Sequence, residues 1–175
     1  MDDRRFREAV GLFASGVTVV TVRTAQGTDL GMTVSAFCSL SLDPPLVLAC
    51  VGSARFMHAA MAEATGFGVS VLADDQGALS DRFAGGMRDA QGSWTPWPEE
   101  RDRFEGLTTR RAEQSDALLL DGALVGLDCR LHGSHDQGDH TLFFGEVVGF
   151  ERGRDGKGPL LYQSGRYASL GEPVG

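Results

Sequence analysis

The chain has 175 residues, of which 42% are apolar and 23% charged, with 24 glycines and 6 prolines. A chain of this length buries roughly 70% of its unfolded surface on folding, which predicts a single globular domain over residues 1–175 and excludes global disorder. The net charge of −8 repels the phosphate backbone of nucleic acids, so we expect no nucleic-acid partner.

The amino-terminal segment predicts a helix followed by a strand. Phe6, Val10 and Phe13 recur at helical spacing within residues 2–14, which indicates a short amphipathic helix. Residues 17–22 are β-branched throughout, as in a strand that is packed on both faces. Because no apolar run approaches the roughly 20 residues of a membrane span, we expect no membrane partner and a cytoplasmic location.

Residues 30–41 carry the clearest periodicity. Even positions, from Leu30 through Cys38 to Leu40, are apolar, and odd positions such as Thr33 form a row of hydroxyl side chains. This alternation predicts one strand whose apolar face points inward. The hydroxyl face is either a solvated outer face or the lining of a polar ligand site.

The middle of the chain predicts further strands and helices. Strands are expected at 46–51 and 67–72, with a helix at 54–64 between them and a third helix that starts at Asp74 or Asp75 and ends at Gly85-Gly86. Ser53 is the expected cap of the second helix, and Met57 and Met61 form part of its inward stripe. Residues 87–103 form a polar surface excursion, in which Trp94 and Trp97 serve either as a lid over a ligand or as packing anchors.

The carboxyl-terminal third predicts mostly strands. They are expected at 106–112, 117–120, 122–132 and 140–150, with a turn at 133–138 and a closing tail through Tyr162 and Tyr167. About seven strands and three short helices in a non-alternating order predict a mainly β fold, a β-barrel with helical additions rather than a doubly wound sheet.

Cysteine and histidine patterns give little support for thiol or metal chemistry. Cys38, Cys50 and Cys129 are an odd number within apolar segments, which predicts buried free thiols rather than disulfides. His132, His135 and His140 lie close in sequence, but across a hairpin turn they do not face one another, so we expect no metal site.

Five segments, in order, resemble the flavin reductase family, the short-chain reductase components of two-component flavin monooxygenases. They are ASGVTVVTV, GMTVSAFCSLSLDPPLVLACV, FGVSVLADDQGALSDRFAG, LDGALVGLDCRLHGSHDQGDHTLFFGEVVGFE and PLLYQSGRY. The resemblance implies an FMN-binding, Greek-key-like split β-barrel with three short helices. It also implies a homodimer that binds FMN or FAD at its interface and uses NADH or NADPH as the reductant.

The resemblance also implies the site residues. Flavin contacts are implied for Met32, Thr33, Val34, Ser35, Cys50, Val51, Ser53, Arg55, Ala73, Gln76, Arg82, Phe83, Arg166 and Tyr167. Arg82 and Arg166 are the implied cations near the pyrimidine end of the flavin. Arg55 stands where many members carry a second hydroxyl residue, so either its charge replaces that contact or the phosphate site is weaker. His140, in Gly138-Asp139-His140, matches the family histidine on the nicotinamide side and is the implied catalytic residue.

The function that follows from the resemblance is NAD(P)H-dependent reduction of flavin. Hydride would pass from nicotinamide C4 to flavin N5, and the reduced flavin would go to a separate partner monooxygenase. Two alternatives remain open at this point: a non-catalytic module that stores or senses flavin, and a terminal oxidoreductase that keeps FMN tightly bound.

Overall fold

The structure, a computed structural model, describes residues 2–171 and is mainly β with three helices. The helices are α1 (Asp3–Val10), α2 (Phe56–Glu63) and α3 (Gly77–Ala84). The strands are β1 (Ser15–Gly16), β2 (Thr18–Arg23), β3 (Asp29–Val34), β4 (Phe37–Leu42), β5 (Pro45–Gly52), β6 (Gly66–Val71), β7 (Gly86–Arg88), β8 (Trp94–Pro96), β9 (Thr109–Arg111), β10 (Leu118–Leu120), β11 (Val125–Gln137), β12 (His140–Arg152), β13 (Leu161–Gln163) and β14 (Arg166–Ala168).

One antiparallel sheet dominates the fold. Its seven strands run in the order β3-β2-β6-β11-β12-β5-β4, and the seven shorter strands form three small sheets around it. The two edge strands, β3 and β4, follow each other in the chain with only Ser35 and Ala36 between them. The backbone N–H of Cys50 donates to the carbonyl of Ala36 at 2.9 Å, so this short link lies against β5.

The core lies on both sides of the main sheet, as expected for the β-branched run. In β2, Val20 and Val22 belong to one buried cluster, whereas Val17, just before the strand, and Val19 belong to another. The first cluster includes Met57 and Met61 of α2 and the second includes Phe83 of α3, so each cluster packs one helix against the sheet. Both faces of β2 are therefore buried, and the hydroxyls of its two buried threonines, Thr18 and Thr21, donate to the carbonyls of Val34 and Leu118.

The periodic stretch 30–41 is two strands, and the prediction of one strand was wrong. The chain leaves the sheet at Ser35 and Ala36 and re-enters at the opposite edge as β4. Across this break the inward face is lost: Cys38 and Leu40, predicted inward, are exposed, and Leu42 is 95% exposed. A period of two describes each half, but it does not reveal a change of edge between them.

The helix boundaries also differ from the prediction. Helix α2 starts at Phe56, with Arg55 rather than Ser53 in the cap position and no side-chain capping bond. Helix α3 starts at Gly77 rather than at Asp74 or Asp75, and it ends as predicted at Gly85, which adopts the left-handed conformation. Helix α1 covers only Asp3–Val10, and Phe6 and Val10 of its apolar stripe are exposed.

The long hairpin β11–β12 replaces the wide turn predicted at 133–138. The strands pair up to Gln137 and His140, so only Gly138 and Asp139 form the turn. Gly138 has a φ of 61°, the left-handed conformation that a two-residue hairpin turn requires and glycine adopts at low cost. The tight turn places His140 at the start of a strand rather than in a loop.

The cysteines are less buried than predicted. Only Cys129 is buried, whereas Cys50 is half-buried and Cys38 is exposed, and all three are free thiols.

Within residues 2–171, no helix has the length and hydrophobicity that crossing a membrane requires.

Candidate functional site

A cavity of about 490 Å³ lies between β3, the end of β5, the start of α2, the end of α3 and the tip of the long hairpin. Its volume lies within the range that is typical of small-molecule and cofactor sites. Eight of the predicted site residues line it: Met32, Thr33, Val34, Ser35, Cys50, Arg55, Phe83 and His140. The structure therefore brings together residues from four separate parts of the sequence.

His140 lies at the mouth of this cavity with one ring nitrogen engaged. Its Nδ1 is 2.7 Å from Oδ1 of Asp139, and the side chain is 48% exposed. The hydrogen bond from His140 is the main cause of a lowered pKa of the Asp139 carboxyl, so that carboxylate is ionised and accepts. Since Nδ1 then carries the proton in this bond, Nε2 is the ring atom left for a ligand.

The hairpin tip is fixed next to the link between β5 and α2. His140 pairs with Gly52 in the sheet register, and the backbone N–H of Ser53 donates to the carbonyl of Asp139 at 2.9 Å. A Cβ on Gly52 would lie 3.6 Å from Nε2 of His140, so glycine keeps the space beside that nitrogen open. These contacts explain how a residue at a hairpin tip takes a defined position in the site.

The hydroxyl row has a mixed role. Oγ1 of Thr33 donates to the carbonyl of Ser80 at 2.6 Å and so ties β3 to α3. Ser35 is exposed at the end of β3. Both residues border the cavity, which favours the ligand-lining interpretation of the row, but in β4 the hydroxyls of Ser39 and Ser41 do not line it.

The charge of the cavity lining contrasts with that of the whole chain. Among residues 2–171, its titratable side chains are Arg55, Arg103, His140 and Cys50, and no aspartate or glutamate lines it, although the chain carries a net charge of −8. Burial, and secondarily the charge of Asp139, raises the pKa of the Cys50 thiol, which disfavours a reactive thiolate there. The lining is thus suited to an anionic ligand.

Sequence reasoning missed several residues that line this cavity. Arg103 and Phe56 form a stacked pair, with the guanidinium carbon 4.8 Å from the ring centroid. Arg103 stands at the end of a charged run in the predicted excursion, where nothing in the sequence distinguishes it from its exposed neighbours. Ala36, Gly52, Ala84 and Gly85 also line the cavity and carry no side-chain signal.

A second cavity, of about 320 Å³, adjoins the first and shares Thr33, Ser35 and Ala84 with it. Tyr167 lines it, and its hydroxyl lies 2.8 Å from both Oγ of Ser80 and Oδ1 of Asp81. Burial, with Asp81 nearby, raises the pKa of Tyr167 to about 12. Tyr167 therefore acts as a neutral hydrogen-bond donor that links β14 to α3.

The guanidinium of Arg82 contacts the excursion and Glu105, which lies just after it. Its guanidinium lies 4.5 Å from the ring centroid of Trp97 and donates to the carbonyls of Asp102 and Glu105. Trp97 is also stacked on Arg101, which supports its role as a packing anchor. Trp94 instead lines the second cavity.

The other predicted site residues lie outside both cavities. The side chain of Val51 is fully buried in the first core cluster, and Ser53 is exposed in the turn before α2. Ala73 is buried and donates its N–H to Oε1 of Gln76 at 2.8 Å, before the start of α3. Arg166 is exposed on β14.

The histidines do not assemble a metal site. His135 pairs with Leu142 and His140 with Gln137, while His132 lies at an irregularity of β11. Across residues 2–171, no three His, Cys, Asp or Glu side chains cluster closely enough to hold a metal ion.

The chain is similar in sequence to a known family and to named members of it. The family described as "Flavin reductase like domain" matches residues 10–171. The chain is 39% identical over 166 residues to the FMN reductase (NADH) SmoA of Agrobacterium fabrum, covering 95% of this chain and 85% of that protein. It is 35% identical to HsaB, the reductase subunit of a flavin-dependent monooxygenase from Rhodococcus jostii, covering 97% of this chain and 79% of that protein.

A solved structure is similar over nearly the whole chain. The NADH:FAD oxidoreductase SgcE6 of Streptomyces globisporus, in complex with NAD and FAD fragments, superposes with a TM-score of 0.84 at 35% identity, covering 97% of this chain and 93% of that one. The family match over residues 10–171 includes every segment that lines the cavity. The chain belongs to the flavin reductase family.

Proposed function

We propose that the protein is an NADH-dependent flavin reductase that supplies reduced FMN or FAD to a partner monooxygenase. The observation that carries the proposal is the carboxylate-free cavity lined by Arg55, Arg103 and His140 in an otherwise acidic chain. Relatives named as NADH-dependent FMN or FAD reductases, and as reductase subunits of monooxygenases, support the same reaction and NADH as the reductant.

The proposed roles follow the cavity lining. The bound flavin supplies the hydride-accepting ring, and this chain positions it. Residues Met32–Ser35 offer an extended strand edge along a flat ring, and Phe83 and Cys50 also line the cavity. Arg55 holds the phosphate group, and His140 presents Nε2 to the nicotinamide. Positioning two rings at reacting distance is worth up to roughly 7–11 kcal/mol of the barrier, and it needs no strong acid or base.

The other predicted flavin contacts do not line the first cavity and would have to reach the flavin in a different way. Tyr167 borders the second cavity and takes part in binding through it. For Val51, Ser53, Ala73, Gln76, Arg82 and Arg166, whose side chains lie outside the cavities, we propose contacts through the backbone or with flavin held by the second subunit of a dimer.

We propose that the single domain forms a split β-barrel and a homodimer. The edge strands β3 and β4 are joined by only two residues, which favours a sheet that curls until its edges approach each other. Leu40 and Leu42 on edge strand β4, together with Phe150, are exposed apolar side chains that a second copy would cover.

We propose that the protein is located in the cytoplasm, where both NADH and a partner monooxygenase would be present.

A steady-state assay that crosses FMN and FAD with NADH and NADPH tests this function. We expect the purified protein to oxidise NADH much faster when either flavin is added, and NADPH more slowly. Extensive dialysis before the assay separates a diffusible flavin from a tightly held one. A rate that stays flat with both flavins and both nucleotides contradicts the proposal, and bound flavin without turnover favours a storage module.

A further inference from the structure

Arg103 occupies an unusual position for a charged side chain. It comes from the excursion after α3 but reaches the cavity, where it is partly buried against Phe56. Its Nη1 donates to the carbonyl of Phe83 at 3.2 Å and approaches that of Gly31 at 3.5 Å. These contacts hold one edge of the guanidinium against α3 and β3.

No acidic partner neutralises this charge. Among residues 2–171, ion pairs within 4 Å engage many of the arginines, including Arg23, Arg88, Arg101, Arg110 and Arg111, but not Arg103. An arginine keeps its proton under all ordinary conditions, so the cavity contains a permanent positive charge that neutral carbonyls only partly satisfy. Holding such a cation partly buried without a carboxylate costs free energy, and binding an anionic ligand would recover it.

The position of Arg103 indicates which part of a ligand it meets. Phe56, on which it stacks, follows Arg55 directly and is the first residue of α2. Arg103 therefore lies next to the first turn of α2, beside the chain segment that carries Arg55, and its planar guanidinium can bind two oxygens of one phosphate at once.

We infer that Arg103 is a specificity-determining residue that binds the phosphate ester of FMN in this cavity, and so distinguishes FMN from riboflavin. This inference rests on the proposed function, since it assumes that a flavin or NADH enters the cavity. The same chemistry is present in the diphosphate of NADH, so the test has to separate the two sources.

The test measures dissociation constants for wild type, Arg103→Gln and Arg103→Lys. FMN and riboflavin binding are followed by quenching of flavin fluorescence, and NADH binding by nucleotide fluorescence. We expect Arg103→Gln to weaken FMN binding roughly ten- to hundredfold while riboflavin binding changes less than about twofold, because only FMN carries the phosphate. Arg103→Lys should restore part of the FMN affinity.

Arg152→Gln is the matched control, because it removes the same charge from an exposed position on β12 outside the cavity. It should leave all three affinities unchanged. If Arg103→Gln weakens the binding of NADH rather than that of FMN, Arg103 binds the diphosphate of the nucleotide, and the inference about FMN is overturned. Equal weakening of FMN and riboflavin, or no change in any affinity, overturns the inference. Wild-type protein that binds FMN without oxidising NADH would instead contradict the proposed function and leave the Arg103 comparison valid.

Discussion

His140 is the residue whose chemistry is most directly readable from its contacts. Its Nδ1 bonds to Asp139, the next residue back, and its side chain is half-exposed, so few contacts that support the fold depend on it. Its free Nε2 lies beside Gly52 at the cavity mouth. A residue with this environment contributes to ligand contact more than to stability.

We therefore predict that His140→Ala impairs use of the nicotinamide selectively. The apparent KM for NADH should rise or kcat should fall by about tenfold, as expected for one lost hydrogen bond or stacking contact. The dissociation constant for FMN should change less than about twofold. His135→Ala, at an exposed position on β11 across the hairpin turn and outside the cavity, is the control and should match wild type. Parallel loss of FMN and NADH binding would instead indicate a structural histidine.

About half of the residues that line the cavity were predicted from the sequence. Thr33, Arg55 and His140 stand in segments that the family resemblance marks, and the fold brings them together. Arg103 and Phe56 were missed, because their role depends on a contact between two segments distant in the chain, and local patterns carry no information about such a contact. Arg82 was predicted to be a cation near the flavin, but the sequence does not show that residues 97–105 fold back onto its guanidinium.

Among the elements, the packing of β3 against α3 fixes one wall of the site. Gly31 lies in the middle of β3, directly against Phe83 of α3 and near Phe104. A Cβ at this position would lie 2.6 Å from Cε1 of Phe83, which is closer than any carbon contact tolerates. Because Phe83 and residues 32–35 of β3 also line the cavity, Gly31 sets how closely α3 approaches β3 beside it.

We predict that Gly31→Ala lowers the free energy of unfolding by about 1–3 kcal/mol, the typical cost of overpacking a core. Urea denaturation followed by circular dichroism measures the change. Gly16→Ala is the matched control, because no atom lies within 4 Å of the Cβ it would add, and its effect should stay below about 1 kcal/mol. Similar losses in the two variants would mean that the β3–α3 contact is not as described.

Prediction of the elements succeeded where one segment stays in one environment. Strands β2 and β6 and the inward stripe of α2 were predicted from side-chain type alone, because each is buried on fixed faces. The stretch 30–41 was misread because the chain changes sheet edges at Ser35 and Ala36 while the alternation continues. The extent of the long hairpin was missed because its distal half, from Gly133 onward, is polar and pairs through the backbone.

For the whole molecule, the distribution of charge and apolar surface is the feature that links fold to function. The chain has a net charge of −8, yet the described lining of its cavity contains two arginines and no carboxylate. An acidic exterior disfavours nonspecific binding of anions, and a local cationic recess captures those that fit. The exposed leucines of β4 lie on the edge strand of the sheet, and the proposed homodimer would bury them.

A crystal structure of the protein with FMN tests the central claim most directly. The account predicts that the flavin ring lies along Met32–Ser35, that its phosphate lies within hydrogen-bond distance of Arg55 and Arg103, and that the face toward His140 is open. Flavin density at another surface, or a cavity filled by the protein's own chain in every copy, would contradict it.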